Sequence, residues 1–302
     1  MFTPVTATLG AILLHLSTTS LLHCNSQILG CSSLLANSLL HHSLSTTPTL
    51  LGIVAASALP LYPPSYPTDT PLSLLLIAGA LVGVGTKLAR GCTSGHMLLG
   101  VARGSVRSLV ATATFFSSAV ITAAVFGSPP VCVDGACYTP TYPPAGPAMP
   151  LVAAAAAGAV VIRRLPKTEA SRVITRVYAG FVFGLGLLVS GMASPAKTLG
   201  LMSVTDLGRF DPSLMVVALV GVGGNAFAWL KREKSPKLVE EWTLPAGEVE
   251  WRLVVGSTLF GVGWGLVGVC PGPAVVAAVR NGTSGLVWLG AFLAGQVVAG
   301  FV

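Results

Sequence analysis

Long apolar stretches alternate with short polar joints along the whole chain. A helix needs about 20 mostly apolar residues to cross a bilayer, and stretches of roughly this length recur nine times. The pattern therefore predicts an all-α, polytopic membrane protein. We expect nine spans, the second and fifth of them short: residues 5–23, 49–62, 72–90, 106–126, 148–162, 173–192, 213–230, 251–269 and 285–302.

Four joints place polar residues, glycine or proline inside apolar sequence. Gly-Cys-Thr-Ser-Gly-His at residues 91–96 predicts a broken helix, followed by a short helix capped by Thr93 or Ser94. Cys-Pro-Gly-Pro at residues 270–273 predicts a similar break, because proline suits the first turn of a helix. The other two breaks fall at residues 22–33 and 190–200. Backbone of this kind at membrane depth must be buried in protein or line a wet cavity.

The chain resembles itself at an offset of 178 positions, which lays residues 81–88 over residues 259–266. The same offset pairs Cys92 with Cys270. A weaker match at an offset of 170 positions adds to this, so we predict a duplicated unit of four spans. The alternative is that glycine-rich helix packing produced the similarity without common ancestry.

One connecting span lies between the copies and turns the second copy upside down relative to the first. The chain then divides into a first membrane repeat at residues 1–128, an extracytosolic loop with a connector helix at residues 129–169, and a second, inverted repeat at residues 170–302. In transporters built from inverted repeats, the substrate site lies near the membrane midplane, where broken helices meet.

Composition and charge agree with this class. Of 302 residues, 53% are hydrophobic and 9% are charged, against about 25% charged in soluble domains. The net charge of +7 does not indicate a nucleic-acid partner, because Lys and Arg lie in loops between spans. Positively charged loops face the cytosol, which predicts cytosolic loops at residues 103–107, 163–176 and 231–237. We then expect the N-terminus on the outer side of the plasma membrane and the C-terminus on the cytosolic side. We also expect that the first span is not cleaved off as a signal peptide.

Cys92 and Cys270 are the main candidates for chemistry. Each lies where a short helix begins, and a helix N-terminus stabilises an anion without a full positive charge in the membrane. A thiol adds a soft, weak hydrogen-bonding group, which suits a sulphur-containing anion better than a hard oxyanion. The alternative is that both cysteines are small packing residues.

Other polar residues leave alternatives open. His96 either donates a hydrogen bond or relays a proton, or else caps the short helix. Lys197 is an ionisable residue at membrane depth. It either has a functional role there or extends its amine to the membrane–water interface. Cys132 and Cys137 form a disulfide or stay free in an outer loop. The other cysteines lack metal-ligand spacing, and no nucleotide or haem motif is present, so we expect no metal, no cofactor and no enzyme activity.

The three motifs at residues 91–96, 191–197 and 270–274 together resemble the YeeE/YedE family of sulphur transporters. This resemblance implies a nine-span, hourglass-shaped protein that takes up thiosulfate, with cysteines passing the ion through by contacts with its sulphur. Cys92 and Cys270 match family cysteines. The third family cysteine follows Arg-x-x-Phe, whereas this chain has Gln-Ile-Leu-Gly before Cys31, so Cys31 is a candidate and Cys24 a weaker one.

We therefore predict a membrane transporter for a small sulphur-containing anion, with thiosulfate as the expected substrate. The expected pathway residues are Cys92, Cys270, Cys31, Ser94, Gly95, His96, Gly272 and Lys197. The alternatives are a thiol redox or persulfide-relay protein, a transporter of a selenium compound, and a purely structural membrane protein. Besides its substrate, we expect the protein to contact the lipid bilayer. A cytosolic sulphur-accepting protein is an open alternative as a further partner.

Overall fold

The computed structural model describes residues 1–126, 132, 135–245 and 247–301. Over this part of the chain it contains twelve α-helices, one π-helix and a final 3-10 turn. The α-helices are α1 (Pro4–Asn25), α2 (Cys31–Leu39), α3 (Thr47–Ala58), α4 (Leu72–Leu88), α5 (Val106–Phe126), α6 (Ala148–Ile162), α7 (Glu169–Val189), α8 (Pro195–Met202), α9 (Ser213–Leu230), α10 (Trp251–Val267), α11 (Pro271–Arg280) and α12 (Gly282–Val298). The π-helix (Ser94–Val101) lies between α4 and α5, and the 3-10 turn (Ala299–Phe301) follows α12.

The protein is a polytopic membrane protein. Within the described ranges, six helical stretches are long and apolar enough to cross a bilayer: α1, α5, α7, α9, α10 continued through α11, and α12 with its 3-10 turn. Helices α3, α4 and α6 are apolar but shorter, with 12, 17 and 15 residues. Each predicted span thus coincides with a helix, whereas the count of nine membrane crossings stays a prediction.

Short helices follow four of the long ones, at the places where the sequence predicts breaks. Each long helix ends near a residue with positive φ, a conformation that stops an α-helix and redirects the chain. These residues are Ser26, Arg90, Gly191 and Gly268, with φ of 54°, 55°, 75° and 70°. The chain then enters α2, the π-helix, α8 or α11, which have only 8 to 10 residues each.

The helix contacts come in matched pairs. α4 packs against α12 as α10 packs against α5, and α3 packs against α7 as α9 packs against α1. In the same way, α11 contacts α3 and the π-helix contacts α9. Two further contacts, α1 with α7 and α4 with α10, join helices that the predicted repeats place in corresponding positions. Helix α6 packs on α1 and α7 and has no counterpart in this scheme.

Small residues allow the central helices to approach closely. A Cβ on Gly256 would lie 2.7 Å from the carbonyl oxygen of Gly85, so α10 and α4 are in backbone contact. A Cβ on Gly52 would lie 2.6 Å from the amide nitrogen of Phe181, which brings α3 equally close to α7. Apolar attraction between helices is weak in lipid, so such close van der Waals contacts supply much of the packing energy.

Candidate functional site

The beginnings of two short helices meet in the interior. Cys31 is the first residue of α2 and Ser94 the first residue of the π-helix, and both are buried. The backbone amide of Cys31 donates a hydrogen bond to the Ser94 hydroxyl, with 3.1 Å between nitrogen and oxygen. This bond joins elements that are far apart in the sequence, and it brings two helix N-termini to one point.

Two hydroxyl groups contact the thiols of two cysteines near this point. The Cys92 sulphur lies 3.4 Å from the Ser94 hydroxyl oxygen. The Thr93 hydroxyl donates to the Cys270 sulphur across 3.7 Å. The exposed fractions of Cys31, Cys92 and Cys270 are 1%, 1% and 5%, so these thiols lie fully inside the protein. We call Cys31, Cys92 and Cys270 the thiol cluster.

Gly272 lets α11 approach the thiol cluster. A Cβ on Gly272 would lie 3.3 Å from the Cys31 sulphur, which is tighter than ordinary van der Waals contact. The backbone amide of Gly272 is also directed at the Cys270 thiol. Because Pro271 and Pro273 have no N–H, this amide is one of the few donors in the first turn of α11.

The space among the thiols is small. One cavity of about 10 Å³ is bordered by Cys31, Cys270 and Gly272, and a second of about 20 Å³ is bordered by Cys270 and Trp264. A water molecule needs at least about 10–15 Å³ on this measure. Each of these cavities therefore holds about one water molecule at most, and this conformation leaves no room for a hydrated ion at the thiol cluster.

A much wider cavity approaches the thiol cluster from one side. Its volume is about 340 Å³, and its wall includes the backbone glycines Gly30, Gly91 and Gly95. These glycines are neighbours in sequence of Cys31, Cys92 and Ser94, so the cavity ends beside the thiols. Three guanidinium-bearing side chains also line it, those of Arg90, Arg103 and Arg107. We call it the wide cavity.

A narrow cavity of about 30 Å³ lies on the opposite side. Val269 and Ala274 on its wall flank Cys270 and the first turn of α11, and Pro195 begins α8. Tyr66, from the segment between α3 and α4, also borders this cavity. The thiol cluster thus separates a narrow cavity from a wide, positively charged one.

His96 is held by protein atoms at both ring nitrogens. Nδ1 lies 3.1 Å from the Ser108 hydroxyl oxygen, and Nε2 lies 3.2 Å from the carbonyl oxygen of Ala89. Arg107 donates to the same carbonyl at 2.8 Å. His96 therefore fastens the π-helix to α5 and to the end of α4, which favours a positioning role over direct contact with an anion.

Lys197 does not reach the thiol cluster. Its ammonium lies 3.4 Å from the buried carboxylate of Asp211 and donates to the hydroxyls of Thr3 and Ser213 at 2.9 and 3.0 Å. The aliphatic part of the side chain passes over Gly191, where a Cβ would lie 2.6 Å from Lys197 Cδ. The charge is thus paired inside the protein, in a network that joins α8 to the start of α9.

The remaining cysteines lie elsewhere. Cys132 and Cys137 form a disulfide, and Cys137 exchanges backbone hydrogen bonds with Phe2 and Gly208. Cys24 is buried beside Ile162 and Leu238, away from the other thiols. In the described part of the chain, no group of three or more His, Cys, Asp or Glu is placed to hold a metal ion.

Sequence reasoning missed two methionines and the role of the arginines. Met97 and Met192 border both small cavities at the thiol cluster, where their thioethers add polarizable sulphur. Met192 falls inside a predicted break and Met97 directly follows one, but methionine is common in cores and gave no separate signal. Arg103 and Arg107 mark only a cytosolic loop in the sequence, because their convergence on one cavity depends on the fold.

Two known protein families match different parts of the chain. Residues 6–127 match a family described as sulphur transport. Residues 171–302 match a family of unknown function (DUF6691).

Several proteins of Xylella fastidiosa, each named a probable transporter, are similar to parts of the chain. One from strain Temecula1 / ATCC 700964 is 38% identical over 123 residues, which are 40% of this chain and 82% of the relative. A second from that strain is 40% identical over 124 residues, or 39% of this chain and 92% of the relative. A relative from strain 9a5c is 37% identical over 123 residues, or 40% of this chain and 84% of that protein.

Proposed function

The chain belongs to the YeeE/YedE sulphur-transport family, and from this membership we propose that it carries thiosulfate across the membrane through the thiol cluster. Family membership makes the protein a membrane transporter of a sulphur compound. The observation that supports the finer proposal is the meeting of three free, buried thiols at the beginnings of short helices.

The thiol cluster suits an anion with a terminal sulphur. A carboxylate or sulfate oxygen prefers strong N–H and O–H donors, whereas a polarizable, weakly accepting sulphur loses less when thiols replace water. The charge of the ion is stabilised by backbone amides at the helix N-termini, each worth about 0.3–1 kcal/mol in exposed positions. No covalent step is needed, so the ion crosses unchanged.

The wide cavity supplies the electrostatic attraction that the thiols lack. Arg90, Arg103 and Arg107 line its wall, and charges of one sign in a cleft raise the local concentration of the opposite ion. We assign this cavity to the cytosolic side, because loops rich in Lys and Arg adjoin it. The ion then enters through the narrow cavity, passes the thiols and leaves past the arginines.

The expected duplication supports a path of this shape. We propose that residues 1–128 and 170–302 are inverted repeats joined by α6, and the matched helix contacts support this. In an inverted pair, short helices from the two halves begin at the same depth and face each other. Cys31 and Cys92 would then come from one half and Cys270 from the other.

The test is uptake of thiosulfate labelled in its outer sulphur, by vesicles containing the purified chain. We expect saturable uptake that unlabelled thiosulfate inhibits and sulfate inhibits poorly, and we expect the label to be recovered inside as thiosulfate. Stronger inhibition by selenite would make the substrate a selenium compound. Release of sulfite with the label on a protein cysteine would make the protein a persulfide relay. Either result would contradict the thiosulfate proposal.

A further inference from the structure

A second large cavity lies away from the thiol cluster, where α1, α6 and α9 end. Its volume is about 350 Å³, within the range of about 300–1,000 Å³ that small ligands occupy. Three basic side chains from two loops line it, those of Arg163, Lys231 and Lys237. We call it the basic cavity.

The basic cavity has an excess of positive charge, with three basic side chains and one carboxylate on its wall. Within the described ranges, Arg163, Lys231 and Lys237 form no ion pair, and Glu233 is the one acidic residue on the cavity wall. Nearby basic residues differ in this respect, since Lys167 pairs with Glu240, and Arg172 and Arg176 both pair with Glu169. An anion bound in the cavity would supply the missing negative charge.

A buried polar atom at the cavity also lacks a partner. Nε2 of His23 is inaccessible to solvent and forms no hydrogen bond. The His23 ring packs edge-on against Trp242, with 5.9 Å between ring centres, and both side chains line the cavity. Buried polar atoms normally have a partner, so the His23 ring leaves hydrogen-bonding capacity unused at the wall of the basic cavity.

The cavity opens beside a helix face suited to lipid. Phe227 and Leu230 on α9 are 61% and 79% exposed, although they are large and apolar. Trp229 and Trp242 pack edge-on at the same end of α9, with 5.6 Å between ring centres, and tryptophan is enriched where a membrane meets water. A molecule with an anionic head and acyl chains can satisfy the basic cavity and the apolar face together.

We propose that the basic cavity binds the phosphate headgroup of an anionic phospholipid, whose acyl chains lie along the exposed face of α9. Basic pockets between membrane helices on the cytosolic side bind such headgroups. The backbone amides of Lys237 and Leu238 donate to the carbonyls of His23 and Cys24, and the amide of Thr243 donates to the hydroxyl of Ser26. A bound headgroup would therefore fix the segment that holds the break between α1 and α2.

The experiment measures lipid binding to the full chain purified in detergent, by native mass spectrometry and by thermal unfolding. The probes are phosphatidylglycerol, phosphatidylcholine with the same acyl chains, and inorganic phosphate. The test variant is Arg163→Gln with Lys231→Gln. The matched control is Arg164→Gln with Lys234→Gln, which removes the same charges from exposed neighbours that do not line the cavity.

We expect phosphatidylglycerol to bind and to raise the unfolding temperature more than phosphatidylcholine does. The cavity variant should bind it on the order of 30-fold more weakly, from about 1 kcal/mol per basic side chain, while the control variant keeps the parental affinity. Equal binding of the two lipids, or equal losses in both variants, would overturn the proposal. An equal effect of inorganic phosphate would make the site one for a free anion. None of these results depends on which compound is transported.

Discussion

Hydroxyl groups, rather than bonds between sulphurs, hold the thiol cluster together. Cys31, Cys92 and Cys270 are free cysteines; the hydroxyls of Ser94 and Thr93 contact the thiols of Cys92 and Cys270, and the Ser94 hydroxyl also accepts from the backbone amide of Cys31. A thiol satisfied only by weak hydrogen bonds can exchange such a bond for one to a passing ion at little cost. Each thiol is therefore available to substrate without being exposed to bulk water.

The first prediction concerns Cys92 and Cys270. Serine at either position keeps the size of the side chain but removes the polarizable sulphur, so thiosulfate uptake should fall on the order of tenfold, or about 1.4 kcal/mol at the limiting step. Uptake by purified, correctly inserted protein in vesicles measures this. Cys24→Ser is the matched control, because Cys24 is an equally buried free cysteine outside the cluster. Parental rates in both cluster variants would make these thiols structural.

The second prediction concerns Lys197, whose charge is paired with Asp211. Lys197→Met removes one of the two ammonium groups paired with the Asp211 carboxylate, whose side chain is 4% exposed, and leaves the N-terminal ammonium as the other, so we expect a loss of stability of about 1.5–3 kcal/mol. The double variant Lys197→Met with Asp211→Asn should recover much of it. Thermal unfolding measures both effects, and the affinity of folded protein for substrate should respond to salt as in the parent. A stable single variant with weaker affinity only at low salt would restore a direct role for Lys197 in attracting anions.

Short helices, rather than the long spans, define the site. Four breaks bring α2, the π-helix, α8 and α11 to begin inside the protein, and the cysteines of the cluster lie at or just before the first residue of three of these elements. Buried helix N-termini have unsatisfied N–H groups, which offer donors to an anion along with the positive end of the helix dipole. We therefore expect uptake to depend on how closely these short helices pack against one another.

The third prediction concerns the contact between α11 and α2. Gly272→Ala puts a methyl group 3.3 Å from the Cys31 sulphur, so either α11 or the thiol must shift by a few tenths of an ångström. We expect folded protein with slower uptake. Gly290→Ala in α12 is the control, because a Cβ there meets nothing within 4 Å. Alanine in a helix gains about 0.5–1 kcal/mol over glycine, so the control should be at least as stable as the parent. Equal uptake by the two variants would show that the contact is not critical.

Hydropathy and helix-breaking residues predict most of these helices, but they do not predict which helices contact one another. Every predicted span overlaps a helix, and the four breaks lie where glycine, proline and polar residues interrupt apolar sequence. The sequence predicts an ordinary short helix capped by Thr93 or Ser94, whereas the structure has a π-helix whose N-cap residue Thr93 makes no side-chain capping bond, because no local preference distinguishes i+5 from i+4 hydrogen bonding. The pairing of Lys197 with Asp211 and the partners of His96 depend on tertiary packing, which sequence periodicity does not contain.

At the scale of the whole molecule, the matched helix contacts support the proposed pair of inverted repeats around the thiol cluster. α4 contacts α10 and α1 contacts α7, so the helices that the proposed repeats pair with each other are in direct contact. In such an arrangement, each repeat would be the surface against which the other moves. Rocking of one half against the other is the motion that such transporters use.

The fourth prediction concerns orientation. Single cysteines introduced at Ser45 and Ser235, both exposed, should be labelled from the same face by a reagent that cannot cross membranes. A cysteine at Thr68, in the segment between α3 and α4, should be labelled from the opposite face. We expect the first face to be cytosolic, because the Lys- and Arg-rich loops lie on it. Labelling of all three positions from one face would contradict the proposed inverted repeats.

The small volume at the thiol cluster has an electrical consequence. Cavities of about 10 and 20 Å³ leave no room for a hydrated ion, so the resting protein does not conduct between the narrow and wide cavities. A membrane potential is worth about 2.3 kcal/mol per charge per 100 mV, and a continuously open anion path would discharge it. A cell can therefore keep many copies of this protein in an energised membrane, because each copy conducts no ions until its helices move apart to let one pass.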